Sequence, residues 1–259
     1  MHQGFRPDGP RVVKRASIAR VDRLAERQRP EGPAQGTQRW HRLLFSHWEV
    51  PAEALRPLVH ERLTLDTFEG RCFVGAVAFT MQHVQPLRWA PRVPTATEFF
   101  EVNLRTYVQL DGGQPGVWFF SLDATSALAA WAARTFWHLP YWHAAIASQD
   151  DGERVAWRCH RRRPVPAEFE ASFRVGLPLP RPLEGSLEFF LVERYRLYAA
   201  RRGKLLSGQV HHAPYPLHQA HAQTATDGLL RAVGLTGGAR TPDYFSPGVD
   251  VEMFPLRPV

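Results

Sequence analysis

Lysine is almost missing from this chain. Of 32 Lys and Arg residues only Lys14 and Lys204 are lysines, so arginine carries nearly all of the formal net charge of +7. That skew, with abundant Ala and Pro, points to base composition rather than to a phosphate-binding surface. Residues 1–38 hold eight Arg/Lys and four Asp/Glu, so +4 of the +7 sits in one terminal segment and the remainder is only mildly basic. A nucleic-acid partner is therefore not expected. Cysteine is scarce too. Cys72 and Cys159 show no CxxC spacing, which excludes a disulfide framework and leaves two free thiols in a reducing cytosol. Long apolar runs are absent: the most apolar one, FVGAVAFTM (73–81), falls well short of the about 20 residues a bilayer span needs. With no apolar leader at the N-terminus, the chain is expected to be soluble and cytoplasmic, with no integral membrane association. GxGxxG, Walker, HExxH and GxSxG patterns are all missing, which argues against common nucleotide-dependent, zinc-protease and serine-hydrolase chemistry.

What is present is mostly strand-forming. Residues 1–38 are rich in Arg, Pro, Gly and Gln and are expected to form a flexible basic extension. Within it, ASIARVDRLAERQ has the spacing of a short amphipathic helix. A single domain is expected over 39–259. RWHRLLFSHWEV opens it as a strand. LTLDTF and RCFVGAVAFTM follow as two more, the second apolar enough for burial on both faces. A proline-containing loop (82–97) leads to EFFEVNLRTYVQL, which turns at DGGQPG into VWFFSLDA as a hairpin. A helix over about 124–137, capped by Asp123 or Thr125, ends at Pro140. Strands near 153–162 and 168–175, a short helix capped by Ser186, ERYRLYA paired with LLSGQVHH, a strand near 217–225, a helix closed by Gly234 and a last strand VDVEMF complete the chain. The class is α+β, predominantly antiparallel β, with a few short helices.

Candidate chemistry concentrates in three places. In the strand 98–110, Glu101, Asn103, Arg105 and Tyr107 share one face, opposite Val102, Leu104, Thr106 and Val108. Asn is disfavoured in strands and Tyr prefers partial burial, so this face reads as a closed polar network rather than a wet surface. Such a network needs a purpose such as ligand binding, because buried polar groups are costly unless satisfied. Ser121 and Asp123 share a face of the return strand, and a suitable register would set them beside Asn103 and Arg105. In ERYRLY, Glu193 and Tyr195 alternate with Arg194 and Arg196; either surface ion pairs or a proton-transfer role for Glu193 fits. His211, His212, His218 and His221 match no strong metal spacing, so no metal is expected, and a single hydrogen-bonding or acid–base histidine, best His212, is preferred.

LLFSHWEVP, LTLDTFEGRCFVGAVAF, EVNLRTYV, GVWFFSLDA, LPYWHA, ERYRLY and VHHAPYPL occur in order across roughly residues 40–254 and resemble the DUF2071 (YqjF-like) proteins of bacteria. That family is similar, more remotely, to the acetoacetate decarboxylase-like superfamily. The resemblance implies a cone-shaped antiparallel β-barrel around a small-molecule pocket. The decarboxylases of that superfamily use a lysine that forms a Schiff base with a keto acid. FWHLPYWHA resembles the turn before that lysine, and Tyr141 and Trp142 fall where the lysine pair would be. Neither a phenol nor an indole forms an imine. Lys14 lies in the extension and Lys204 in an expected turn.

The expected function is thus an enzyme acting on a small carboxylate or carbonyl compound by acid–base chemistry, with no organic cofactor. Arg105 would grip the carboxylate, Glu101 or Glu193 would move a proton, and Tyr141 would donate to an oxyanion. Asn103, Tyr107, Ser121, Asp123, Trp142, Tyr195 and His212 would complete the binding site. A non-catalytic ligand-binding barrel is the alternative, and a protein-interaction module acting through the basic extension is a third. A homo-oligomer is compatible with each.

Overall fold

Residues 21–89, 98–151 and 154–259 are described by the structure, a computed structural model. Strand β3 (Phe73–Gln85) shows how the layers form. Phe73, Val77, Phe79 and Met81 enter one apolar cluster, while Val74, Ala76 and Ala78 enter another. A strand covered on both faces needs apolar residues at consecutive positions, as this one has.

The first cluster fills a barrel. β1 (Gly36–Glu49), β3, β4 (Phe99–Leu110), β5 (Gln114–Ala124), β10 (Arg196–Arg201), β11 (Lys204–His212) and β13 (Asp243–Met253) lie side by side in the order β11-β10-β5-β4-β3-β1-β13, and β11 pairs back with β13 to close seven strands into a ring. Every junction is antiparallel except β5–β10, which is parallel. The second cluster lies outside the ring. There β7 (Ala145–Asp150), β8 (Arg154–Arg161), β9 (Ala167–Pro178) and β12 (His218–Ala225) extend from the first residues of β13, and Trp157, Phe169 and Phe173 pack with Leu44, Ala76, Val102 and Leu104. Short strands β2 (Leu63–Leu65), β6 (Tyr141–His143) and β14 (Arg257–Pro258) add to β4, β5 and β11.

Four α-helices punctuate the strands among the described residues: α1 (Ala52–Leu55), α2 (Ala127–Phe136), α3 (Leu187–Val192) and α4 (Gly228–Ala232). Ser126, not Asp123 or Thr125, caps α2: its Oγ accepts from the Ala129 amide at 3.2 Å. Thr125 Oγ1 instead accepts from the Phe100 amide, and Asp123 is held by Arg161. Ser186 caps α3 as expected. Phe190, Leu191 and Val192 of α3 are buried with Phe73 and Tyr107, so this helix plugs the end of the barrel where β3 starts and β4 finishes.

The body begins earlier than Trp40. β1 starts at Gly36, and residues 22–35 lie on the barrel: Arg23 pairs with Asp66, Arg27 with Glu193, and Arg29 with Glu252. The helix expected over 16–28 lies partly outside the described residues; within them there is one 3-10 turn, Ala25–Arg27. Both cysteines are buried free thiols. Among the described residues no helix is long and apolar enough to cross a membrane.

Candidate functional site

β4 supplies the chemistry. Its alternation sends Val102 and Leu104 outward and Glu101, Asn103 and Arg105 inward, where they line a cavity of about 320 Å³ inside the barrel. All seven barrel strands contribute to the wall, which is largely apolar: Phe45, Val77, Phe79, Phe119, Leu122 and Tyr215 are typical. Glu101, Asn103 and Arg105 are 1%, 5% and 7% exposed.

Glu101 accepts hydrogen bonds at both oxygens. The Tyr141 hydroxyl donates to Oε2 at 2.8 Å and Asn103 Nδ2 donates to Oε1 at 3.3 Å. Tyr141 arrives by β6, whose parallel register puts it beside Leu122. Burial pushes the Glu101 carboxyl up to about 7, against the lowering pull of Tyr141 and Asn103. Burial also holds the Tyr141 phenol well above its usual range, so it remains a proton donor.

Arg105 sits deeper, toward α3. Its Nη2 donates to the Leu191 carbonyl at 3.3 Å. Three arginines line the cavity, and two are neutralised: Arg194 by Asp66 at 2.7 Å and Arg196 by Glu26 at 3.0 Å. Arg105 has no carboxylate partner among the described residues. Its Nε and the Asn103 Oδ1 are buried without a hydrogen-bond partner among the described residues. Tyr107 lies behind it rather than on the cavity wall. The Tyr107 hydroxyl donates to the Leu191 carbonyl at 2.8 Å and accepts from His47 Nε2 at 2.7 Å, so it positions the base of the site. Gly75 makes room there: a Cβ would stand 2.7 Å from the His47 ring.

The remaining expected residues separate from this cluster. Ser121 and Asp123 face outward. From Leu110↔Gln114 to Tyr107↔Val117 the β4–β5 hairpin runs in a register that, continued, would set Ser121 opposite Asn103. The pairing then shifts, with Arg105 opposite Phe119 and Leu104 opposite Ser121. Phe120 is the extra residue of a β-bulge, and one extra residue reverses the face of everything after it. Asp123 therefore pairs with Arg161 of β8, at 2.8 Å, and Ser121 donates to Asp123. Trp142, next to Tyr141 on β6, is outside the cavity wall with the Arg134 guanidinium over its ring.

Glu193 also departs from its expected role. It is buried outside the cavity wall, accepting from Arg27 Nε at 3.1 Å and from the Tyr195 hydroxyl. The neighbours Arg194, Tyr195 and Arg196 all reach the wall, because residues 193–195 form the junction between α3 and β10 and do not alternate. His212 stacks on Tyr195 at 4.5 Å between ring centres, with Nδ1 bound to the Ala213 carbonyl. Burial lowers it to about 4, so it is a neutral packing group behind Tyr195 and borders a separate cleft beside Asp250. Among the described residues no cluster of His, Cys, Asp and Glu suits a metal. The sequence analysis read Arg194 without its buried partner Asp66 and did not single out the wall members Trp40 and Tyr215, for which the aromatic residue type was the one hint of burial.

Solved structures share this architecture. An acetoacetate decarboxylase from Legionella pneumophila matches with a TM-score of 0.64 at 12% identity, covering 91% of this chain and 94% of its own. The enduracididine biosynthesis enzyme MppR, complexed with pyruvate, matches with a TM-score of 0.63 at 12% identity, over 88% of this chain and 91% of its own. Those likenesses show an acetoacetate decarboxylase-like fold. In sequence, the protein YqjF of Bacillus subtilis, described as uncharacterised, is 38% identical over 232 residues, 88% of this chain and 94% of the relative. The model of the DUF2071 family, described as an uncharacterised conserved protein, matches residues 37–250. By that match and that relative, the chain belongs to the DUF2071 family.

Proposed function

We propose that the protein is an enzyme that moves a proton on a small carboxylate or carbonyl compound without forming a lysine imine. One observation carries this: a buried arginine without a carboxylate partner among the described residues shares a strand face with a carboxyl that titrates near neutrality inside an apolar cavity. Arg105 binds the substrate carboxylate, using the Nε that no protein acceptor meets. Glu101, poised near the working pH, takes a proton from the carbon beside the carbonyl. The Tyr141 hydroxyl donates to the oxygen as it gains charge. Asn103 holds the Glu101 carboxylate in place. The fold neighbours support the substrate class by analogy, since one is named an acetoacetate decarboxylase and another holds pyruvate. Among the described residues no lysine lines the cavity, and Lys204 is exposed at the first position of β11. Borohydride treatment with a keto acid should therefore leave the protein mass unchanged.

Deuterium exchange tests the proposal directly. In D₂O, a panel of 2-oxo and 3-oxo acids is followed by NMR with catalytic amounts of protein. Wild type should exchange the acidic C–H, Glu101→Gln should abolish exchange, and Tyr141→Phe should slow it about 100-fold. Exchange by Glu101→Gln at the wild-type rate rules out this role. Saturable binding with no exchange anywhere in the panel favours a non-catalytic ligand-binding barrel instead.

A further inference from the structure

The cavity is larger and greasier than a four-carbon keto acid requires. β4 runs from an apolar rim at Phe99 to Arg105 at the plugged end, so position along this strand is depth in the barrel. At about 3.4 Å per residue, Arg105 and Glu101 are separated by about 14 Å along the backbone. Above Glu101 the wall changes character. Phe79 and Met81 of β3 stand beside Glu101 and Phe99, and Leu128 and Ala132 of α2 close the side. Leu128 lines the cavity yet is 49% exposed, so the apolar wall continues to the surface along α2.

Resting on the proposed role of Arg105, we infer that the ligand is a monocarboxylate with an apolar tail, bound head-down on Arg105 with the tail running past Glu101 toward Phe99 and α2. Volume sets its size. A water molecule, one non-hydrogen atom, takes about 30 Å³ in the liquid, so on that scale a cavity of about 320 Å³ has room for on the order of ten such atoms. An oxo acid of six or seven would leave a third of the space lined by Phe, Met and Leu with nothing to pack against it, and those walls offer water few partners. A chain of about eight carbons, or a phenyl ring on a three-carbon acid, fills it. The polar groups fit the same direction. The unpartnered Arg105 Nε and Asn103 Oδ1 lie on the lower part of β4, whereas Arg194 and Arg196 are already held by Asp66 and Glu26.

Calorimetric titration of the full chain with straight-chain acids from acetate to dodecanoate tests this. Each buried methylene should tighten binding about fourfold, so octanoate should bind on the order of 200-fold tighter than butanoate, with the gain levelling off beyond about eight carbons. Octanamide and octanol on wild type should bind at least tenfold more weakly than octanoate, a comparison that needs no variant to fold. A series that is flat or falls beyond butanoate overturns the apolar tail; if Arg105→Gln still weakens the short acids tenfold, the proposed function survives that failure. Octanamide equal to octanoate, or Arg105→Gln equal to wild type, overturns the head-down assignment and the role of Arg105 in the proposed function as well.

Discussion

Glu101 is buried with both oxygens hydrogen-bonded inside an apolar cavity, so its protonation is tied to folding. Its carboxyl titrates at about 7 in the folded barrel, against about 4.3 in an unfolded chain. The folded state thus holds the proton more tightly. The stability this adds is fully present below about pH 4.3 and is lost as pH rises through 7. The loss amounts to about 4 kcal/mol. Glu101→Gln is neutral at every pH and should lack that loss. Urea midpoints of both proteins between pH 4 and 8 should diverge by that amount, the variant gaining on the wild type toward high pH. Parallel curves would show that Glu101 titrates as an ordinary carboxyl. The inward face of β4 was legible because Asn and Tyr in period-two alternation make poor sense on a wet strand. The outward turn of Asp123 was not, because one bulged residue, Phe120, decides it and a bulge leaves no pattern in composition.

Among the elements, the segment 22–35 separates most from its expectation. Its composition reads as a tail, but Arg23 and Arg27, four residues apart, reach two buried carboxylates, Asp66 and Glu193. The two contacts differ in redundancy. Asp66 also accepts from Arg194 at 2.7 Å and from Gln109, whereas Arg27 is the one cation that the structure sets against Glu193 among the described residues. Arg27→Met should therefore cost about 2 kcal/mol, and Arg23→Met under 1 kcal/mol, in urea unfolding at pH 7. Equal and negligible costs would return this segment to the role of a free tail. The partners could not be read from the sequence, since Asp66 lies 43 residues and Glu193 166 residues from the arginines they meet. Helices α2 and α3, by contrast, were legible, α3 through its Ser186 cap and α2 through its apolar run before Pro140, although the cap of α2 is Ser126 rather than the expected Asp123 or Thr125.

At the level of the molecule, the strand content was legible in alternation and turns, while closure rests on pairings between distant segments, β5 with β10 and β11 with β13. The outer sheet β7-β8-β9-β12 is fastened to the barrel by the β12–β13 pairing, by apolar packing and, among the described residues, by the buried ion pair Asp123–Arg161, whose side chains are 0% and 3% exposed. The pair's worth depends on what replaces it. Removing only Arg161 leaves a buried carboxylate with Ser121 as its remaining side-chain donor, so Arg161→Met should cost about 3–5 kcal/mol at pH 8. That cost should shrink toward acidic pH, because protonating Asp123 removes the uncompensated charge. Replacing both partners removes the charges together, and Arg161→Met with Asp123→Leu should return to within about 1 kcal/mol of wild type. A double-mutant cycle read from urea midpoints checks this. If the two single costs simply add, the pair contributes no coupling and the sheet is held by its strand pairing to β13 and its apolar contacts; if the double variant recovers, the pair sets how the outer layer sits on the barrel wall that carries Glu101.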